Sequence, residues 1–318
     1  MALFVVGVHV NAFFDCKSDT LYALLNLAVP FFFVSSGFLL QNKIEKELNT
    51  NTVLRKNIYK ILRLYLVWIV IYLPISLYVY WNNDESMMRD FYNYLHLVLF
   101  IGETKFAWNL WYLHAMLVSL ILLYVFIKLR VKILYIWIIA ISLMVLGYYL
   151  KVGLDSSHHL FKNICEFNKK LFVNPNRNGL YEGFALISTG IMIRKYFSRL
   201  NHCLFVGAIL LGFYYLLSIY NLPLNLLFGG AGLFLVAIYF RLNDHTIYPQ
   251  FRIYSMLIYF LHMYFIFLAF ELYGYKIIDK QHFIMAWIAI FCVAFLATYI
   301  INQLRGYRPF SWLKYLLA

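Results

Sequence analysis

The segment "ILRLYLVWIVIYLPISLYVYW", Ile61 to Trp81, carries a single charge, Arg63, in twenty-one residues. Runs of this kind, long, apolar and unbroken, recur along the whole chain and constrain its fold more than any other feature. A bilayer core of roughly 30 Å needs about 20 apolar residues in helical form, and in lipid the helix satisfies every backbone polar group within its own segment. A β-barrel would show short alternating segments instead. Hydrophobic residues make up 64% of the 318 positions and charged residues only 13%. Soluble domains carry roughly 45–50% apolar and about 25% charged residues. The expected architecture is therefore an all-α polytopic membrane bundle, forming one integral-membrane domain over residues 1–318.

Reading on that basis gives ten segments: Met1–Phe14, Leu21–Leu40, Ile61–Trp81, Trp108–Ile127, Ile133–Leu150, Leu180–Ile193, Cys203–Ile219, Leu224–Phe240, Ile253–Leu272 and Phe283–Ile301. Phe91–Ile101 is apolar but too short to span, and reads as an interfacial or re-entrant helix. Basic residues concentrate in alternate loops: Lys43, Lys46, Arg55, Lys56 and Lys60; Lys128, Arg130 and Lys132; Arg194, Lys195 and Arg199; Arg241 and Arg252; and the tail with Arg305, Arg308 and Lys314. The other loops balance Lys17 with Asp15 and Asp19, and Arg89 with Asp84, Glu85 and Asp90. Lys151 to Asn178 is the basic exception, offset by its length, Asp155 and Glu166. The positive-inside rule then puts both termini in the cytoplasm. The net charge of +13 reads as cytoplasmic lysine and arginine facing anionic lipid, and not as nucleic-acid binding.

The first run is short. Fourteen residues rise about 21 Å, below the thickness of the hydrocarbon core, and no basic flank precedes them. The expectation is that the natural chain begins upstream. The four cysteines, Cys16, Cys165, Cys203 and Cys292, show neither CxxC nor metal-site spacing. Cys16 and Cys165 both fall on the outer side of this topology, which leaves a disulfide open, although unpaired thiols are the simpler reading. No metal site is expected.

Titratable groups at membrane depth are costly and mark function by default. His9, His114, Glu182 and His262 are such groups. Each alone could be a polar side chain satisfied by a neighbouring helix; together they suggest a polar interior suited to a transporter or an intramembrane enzyme. Arg55, Lys56, Lys60 and Arg63 recur at three- to four-residue spacing, which places them on one helix face. That face either anchors lipid head groups or holds a phosphate-rich ligand. Ser35, Ser36 and Gly37 let helices approach closely, and Pro30 breaks or kinks its span. Asn176, Arg177 and Asn178 precede Glu182 at one span's mouth, either as a snorkelling anchor or as a grip on a hydroxyl-rich ligand.

Six stretches in order, "VVGVHVNAFF", "VPFFFVSSGFLL", "LRKNIYKILRLYLVW", "NLWYLHAMLVSLILL", "RNGLYEGFALISTGIMI" and "SMLIYFLHMYFIF", resemble the acyltransferase-3 family of bacterial membrane O-acyltransferases, most closely the branch that modifies surface polysaccharides. The resemblance implies ten membrane helices in the cytoplasmic membrane. It also implies transfer of an acyl group, usually acetyl, from acyl-coenzyme A to a sugar hydroxyl of a polysaccharide or its lipid-linked precursor. Acetyl-CoA is then a co-substrate and not a bound cofactor. The implied partners are the donor, the saccharide acceptor and membrane lipid, with homo-oligomerisation left open. His9 matches the family's first-helix histidine; the basic residue eleven positions before it would lie upstream of Met1.

On this reading His9 is the general base, and Arg55, Lys56, Lys60 and Arg63 hold the donor's phosphates. Ser35, Ser36 and Gly37 line the acyl path. Trp111, Tyr112, His114, Arg177, Asn178 and Glu182 line the acceptor cavity, with His262 either supporting it or structural. Two other readings stay open: a transporter or flippase for a polar or polyprenyl-linked solute, and an acyltransferase-like protein without activity.

Overall fold

The computed structural model describes residues 1–14, 16, 18–47, 49–82, 86–155, 158–174, 176–197, 202–240, 246–277 and 282–317. Asp15, Lys17, Asp84, Glu85, Arg199 and Arg241, used above for the topology, lie outside them, as does the side chain of Lys314. Regular structure among the described residues is helical throughout.

The chain opens with α1 (Ala2–Val10), followed by α2 (Asp19–Asn26) and α3 (Ala28–Lys46). The last two are nearly continuous, and the break falls at Leu27, so Pro30 sits in the first turn of α3 where its missing N–H costs nothing. Then come α4 (Thr50–Trp81), α5 (Met87–His96), α6 (Trp111–Lys128), α7 (Ile133–Val152) and α8 (His159–Phe172). The second half holds α9 (Phe184–Met192), α10 (Cys203–Ile219), α11 (Asn225–Tyr239), α12 (Tyr248–Ile277) and α13 (Phe283–Leu304).

Among the described residues six helical stretches are long and apolar enough to cross a membrane: Asp19–Lys46, Thr50–Trp81, Trp108–Lys128, Ile133–Asp155, Tyr248–Glu271 and Phe283–Leu304. The other apolar segments form shorter helices, which carry the count no further than these six by length and composition. α9 explains itself by packing, because all nine of its residues are buried. It runs through the bundle interior and is lengthened by single π-helical turns at Gly179–Gly183 and Ile193–Phe197. By contrast Leu66, Val70 and Leu77 on α4 are each more than half exposed, as lipid-facing side chains are.

Two apolar clusters hold the bundle. One joins α1, α4, α12 and α13 around Trp68, Tyr72, Phe260 and Met263. The other joins α3, α6, α9 and α11 around Phe33, Phe184 and Leu186. Within the second cluster α3 and α9 cross in close backbone contact. A Cβ placed on Gly190 would stand 2.0 Å from the Val34 carbonyl oxygen, and one on Gly37 would stand 2.1 Å from that of Ile187. The small-residue run in α3 therefore serves helix packing at Gly37.

Polar ties fix the first cluster. Tyr72 Oη donates to the Phe260 carbonyl and Tyr264 Oη to that of Ile71, joining α4 to α12. Trp287 Nε1 donates to the Leu3 carbonyl at 2.7 Å, joining α13 to α1. Cys16, Cys165 and Cys292 are free thiols.

Candidate active site

A cavity of about 960 Å³ opens at the end of the bundle where α2 and α11 begin and α7 and α10 finish. Asp19, Lys151, Arg177 and Glu182 supply its charges. Trp111, Tyr148 and Tyr214 supply aromatic wall, and Asn26, Asn176 and Asn225 supply amides. Arg177 lies over the Trp111 ring with its guanidinium carbon 4.4 Å from the centroid. Stacking of this kind leaves the guanidinium edge free to donate. Glu182 is buried, and its charge and those of His9 and Glu103 all lie within the field of Arg177. The site thus offers two cations, one exposed and one buried carboxyl, and flat aromatic surface. That combination suits a hydroxyl-rich ligand better than a strongly charged one.

His9 stands one residue from Val8, which lines the cavity. Its ring is 5.2 Å from that of His262 on α12, centroid to centroid, and both residues are buried. α12 is registered by a reciprocal pair: Asn109 Nδ2 donates to the Tyr259 carbonyl at 2.8 Å, and Tyr259 Oη donates to the Asn109 carbonyl at 2.6 Å. The 252 residues between His9 and His262 are closed by the packing of α1 on α12.

A second, smaller pocket of about 300 Å³ lies where α3 ends and α4 begins. Lys43, Lys46, Lys56 and Lys60 line it with Asn57 and Glu47. The helical run from Asp19, in the cavity, to Lys46, in this pocket, spans 28 residues, or about 40 Å at 1.5 Å each, so the two openings sit at opposite ends of the bundle. Of the four cations expected on one helix face, Lys56 and Lys60 line the pocket, and Arg63 adds its charge beside Lys60. Arg55 turns away, donating from Nε to Tyr124 Oη at 3.0 Å.

The remaining candidates divide. Tyr112 packs on Phe33, with 4.6 Å between ring centroids, and lies 3.3 Å from Ser36 Oγ. Ser35 Oγ donates to its own helix at the Phe32 carbonyl. His114 faces away from the cavity: its Nε2 lies 3.1 Å from the Leu99 carbonyl and steadies the π-turn Leu97–Ile101. That turn ends at Gly102 with φ of 84°, a left-handed geometry in which a Cβ would also stand 2.2 Å from that of His114. Asn178 caps a helix, its Oδ1 accepting from the N–H groups of Leu180 and Tyr181, both at 3.0 Å.

Glu103, half-buried in the loop after Gly102, escapes the sequence reading because it lies outside every apolar run. Burial pushes its carboxyl up to about 7, with Arg177 pulling the other way. Lys43 and Lys46 were legible only as loop charge, and Asp19 and Lys151 only as topology markers.

The class defined by these features is an integral membrane helix bundle with a polar cavity at one end and a basic pocket at the other. The chain belongs to the acyltransferase-3 family, whose model, an acyltransferase domain, matches residues 1–303. It is also similar to an amino-acid racemase of Enterococcus faecalis, 31% identical over 127 residues, which is 38% of this chain and 17% of that protein. The chain thus spans well under a quarter of that relative's length. No solved structure matches.

Proposed function

We propose that the protein transfers an acyl group, acetyl in the usual case, from acyl-coenzyme A to a hydroxyl of a cell-surface polysaccharide or its lipid-linked precursor, in the bacterial cytoplasmic membrane. The family supports acyl transfer in general. The observation that carries the finer reading is the pairing of two unlike openings about 40 Å apart along one helical run. A lysine-lined pocket suits the phosphates of a coenzyme, and an aromatic and amide-lined cavity with two acidic and two basic residues suits a sugar. On this reading the lysine end faces the cytoplasm and both termini lie there.

His9 is the base. It takes the proton of the acceptor hydroxyl as the oxygen attacks the thioester carbonyl; the carbon–oxygen bond forms, the carbon–sulfur bond breaks, and His9 returns the proton to the departing thiolate. General-base catalysis of this kind contributes about 10²–10⁴-fold. Arg177, held over the Trp111 ring, and Glu182 orient the acceptor beside it.

The test is His9→Ala, with acetylation of surface glycan measured in cells and folding checked by size exclusion. Loss of acetylation with folding intact is expected; retained acetylation overturns the role. Thermal stabilisation by acetyl-CoA should disappear in a Lys56→Ala/Lys60→Ala double variant. A cavity of this size also fits a transported polar solute. Uptake of labelled saccharide into vesicles by the His9→Ala form would favour that reading instead.

A further inference from the structure

Two buried histidines from opposite ends of the chain face each other, and the second has an unsatisfied nitrogen. His262 Nδ1 lies 3.1 Å from the Ile258 carbonyl oxygen. A carbonyl only accepts, so Nδ1 carries the hydrogen and Nε2 of the neutral ring is a bare acceptor. His262 is fully buried, and Nε2 has no hydrogen-bond partner. A buried acceptor left alone requires an explanation. Two rings lie beside it: His9 at 5.2 Å and Tyr259 at 6.1 Å between centroids. The Tyr259 hydroxyl is already committed to the Asn109 carbonyl at 2.6 Å. His9 is the ring with a hydrogen still to give.

We propose that His262 is a positioning residue for His9, accepting a ring N–H of His9 on its Nε2. This rests on His9 being the base. The hydrogen bond would hold one His9 nitrogen protonated and so leave the other bare toward the cavity, where the hydroxyl proton must go. The proton count closes. The acceptor hydroxyl gives its proton to the bare nitrogen, His9 becomes an imidazolium, His262 stays neutral as the acceptor throughout, and the proton leaves to the thiolate.

A neutral partner suits this setting. A carboxylate in the same place would bring a second buried charge with its own desolvation cost. The charged and titratable groups around the pair are Arg177, which acts on His9, then Glu103 and Glu182 beside Arg177, and the phenols of Tyr259, Tyr112 and Tyr72. None of the three phenols is free to replace His262: Tyr72 donates to Phe260, Tyr112 contacts Ser36, and Tyr259 donates to Asn109.

The test compares His262→Leu, which removes the acceptor, with His262→Gln, whose amide oxygen restores one. The first readout does not depend on acyl transfer. Carbethoxylation of His9 by diethyl pyrocarbonate, followed by mass spectrometry of its peptide, requires a bare, accessible ring nitrogen. The rate is expected to fall by about tenfold in the Leu form and to recover in the Gln form. The second readout is thiol release from acetyl-CoA in membranes carrying the cell's own glycans. There kcat is expected to fall by about 10–100-fold with KM held, again recovering in the Gln form. Should the Leu form not fold, His262→Met, flexible and apolar, is read the same way.

Unchanged His9 labelling in a folded Leu or Met form overturns the proposal, and so does a Gln form as impaired as the Leu form. If labelling follows the expected pattern while the unsubstituted protein shows no acetyl-CoA turnover, the pair stands and the acyltransferase reading falls.

Discussion

Gly190→Ala adds one methyl group where α9 crosses α3. The new Cβ would stand 2.0 Å from the Val34 carbonyl oxygen and 2.8 Å from the Phe38 nitrogen, both backbone atoms of α3. Real Cβ atoms essentially never approach closer than 3.0 Å, so α3 and α9 must separate by about 1 Å at the crossing. A rotamer change cannot relieve a clash with backbone. Overpacking of this kind costs about 1–3 kcal/mol, which lowers a melting midpoint by roughly 2–5 °C in a chain of this size. The helix propensity of alanine returns at most about 1 kcal/mol. The crossing also sets the distance from α3, which carries Ser36 toward Tyr112, to the π-turn that carries Glu182 into the cavity. Acceptor handling should therefore suffer with stability. The assay is size exclusion of detergent-solubilised protein after graded heating. Gly212→Ala is the control: that glycine lies in α10 with nothing within 4 Å of the added carbon, and its substitution should be neutral or mildly stabilising. If Gly190→Ala melts no lower than Gly212→Ala, the close-crossing argument is wrong.

Glu103 gives a pH dependence whose sign is determined. Its ordinary value is 4.5, and burial raises it to about 7. Between those values the folded chain holds the proton and the unfolded chain does not, so stability falls as pH rises through that window. Glu103→Gln should make the fall in melting midpoint across that range shallower; a slope as steep as that of the unsubstituted protein would show that Glu103 does not contribute to it. Arg177→Lys keeps the charge but loses the planar stack on Trp111 and should cost about 0.5–2 kcal/mol, read as a lower midpoint with Arg177→Ala worse still. Tyr259→Phe removes one of the two bonds that register α12 on Asn109, and should cost about 0.5–1.5 kcal/mol by the same measurement.

Much of this protein is legible in one dimension because lipid leaves few options. An apolar run of twenty residues must form a helix, so the long segments from Trp108, Ile133 and Phe283 were readable to within about five residues, whereas the helix that holds Ile61–Trp81 begins eleven residues earlier, at Thr50, because its polar first turns carry no apolar signal. His9, Glu182 and His262 stood out because a polar group inside such a run has to be compensated, and all three are buried. The pattern of the six matching stretches was enough for the family, which the match over residues 1–303 shows. Asn178 has a local role that its position also signals: an asparagine just before a helix is a cap, and its Oδ1 serves as one.

Tertiary structure decided what the runs do to one another. Periodicity cannot say that Arg55 turns to Tyr124 while Lys56 and Lys60 join Lys43 and Lys46 in a pocket, because four cations on one helix face different neighbours. Nor can it bring Glu103 from a loop into the field of Arg177. His9 and His262 are equally visible in the sequence, but their partnership belongs to the packing of α1 on α12. The sequence by itself determined that these polar groups would be buried, since the surrounding run is apolar. Only the fold decided which of them meet, since a helix specifies the faces it presents but not the neighbour on which each face closes.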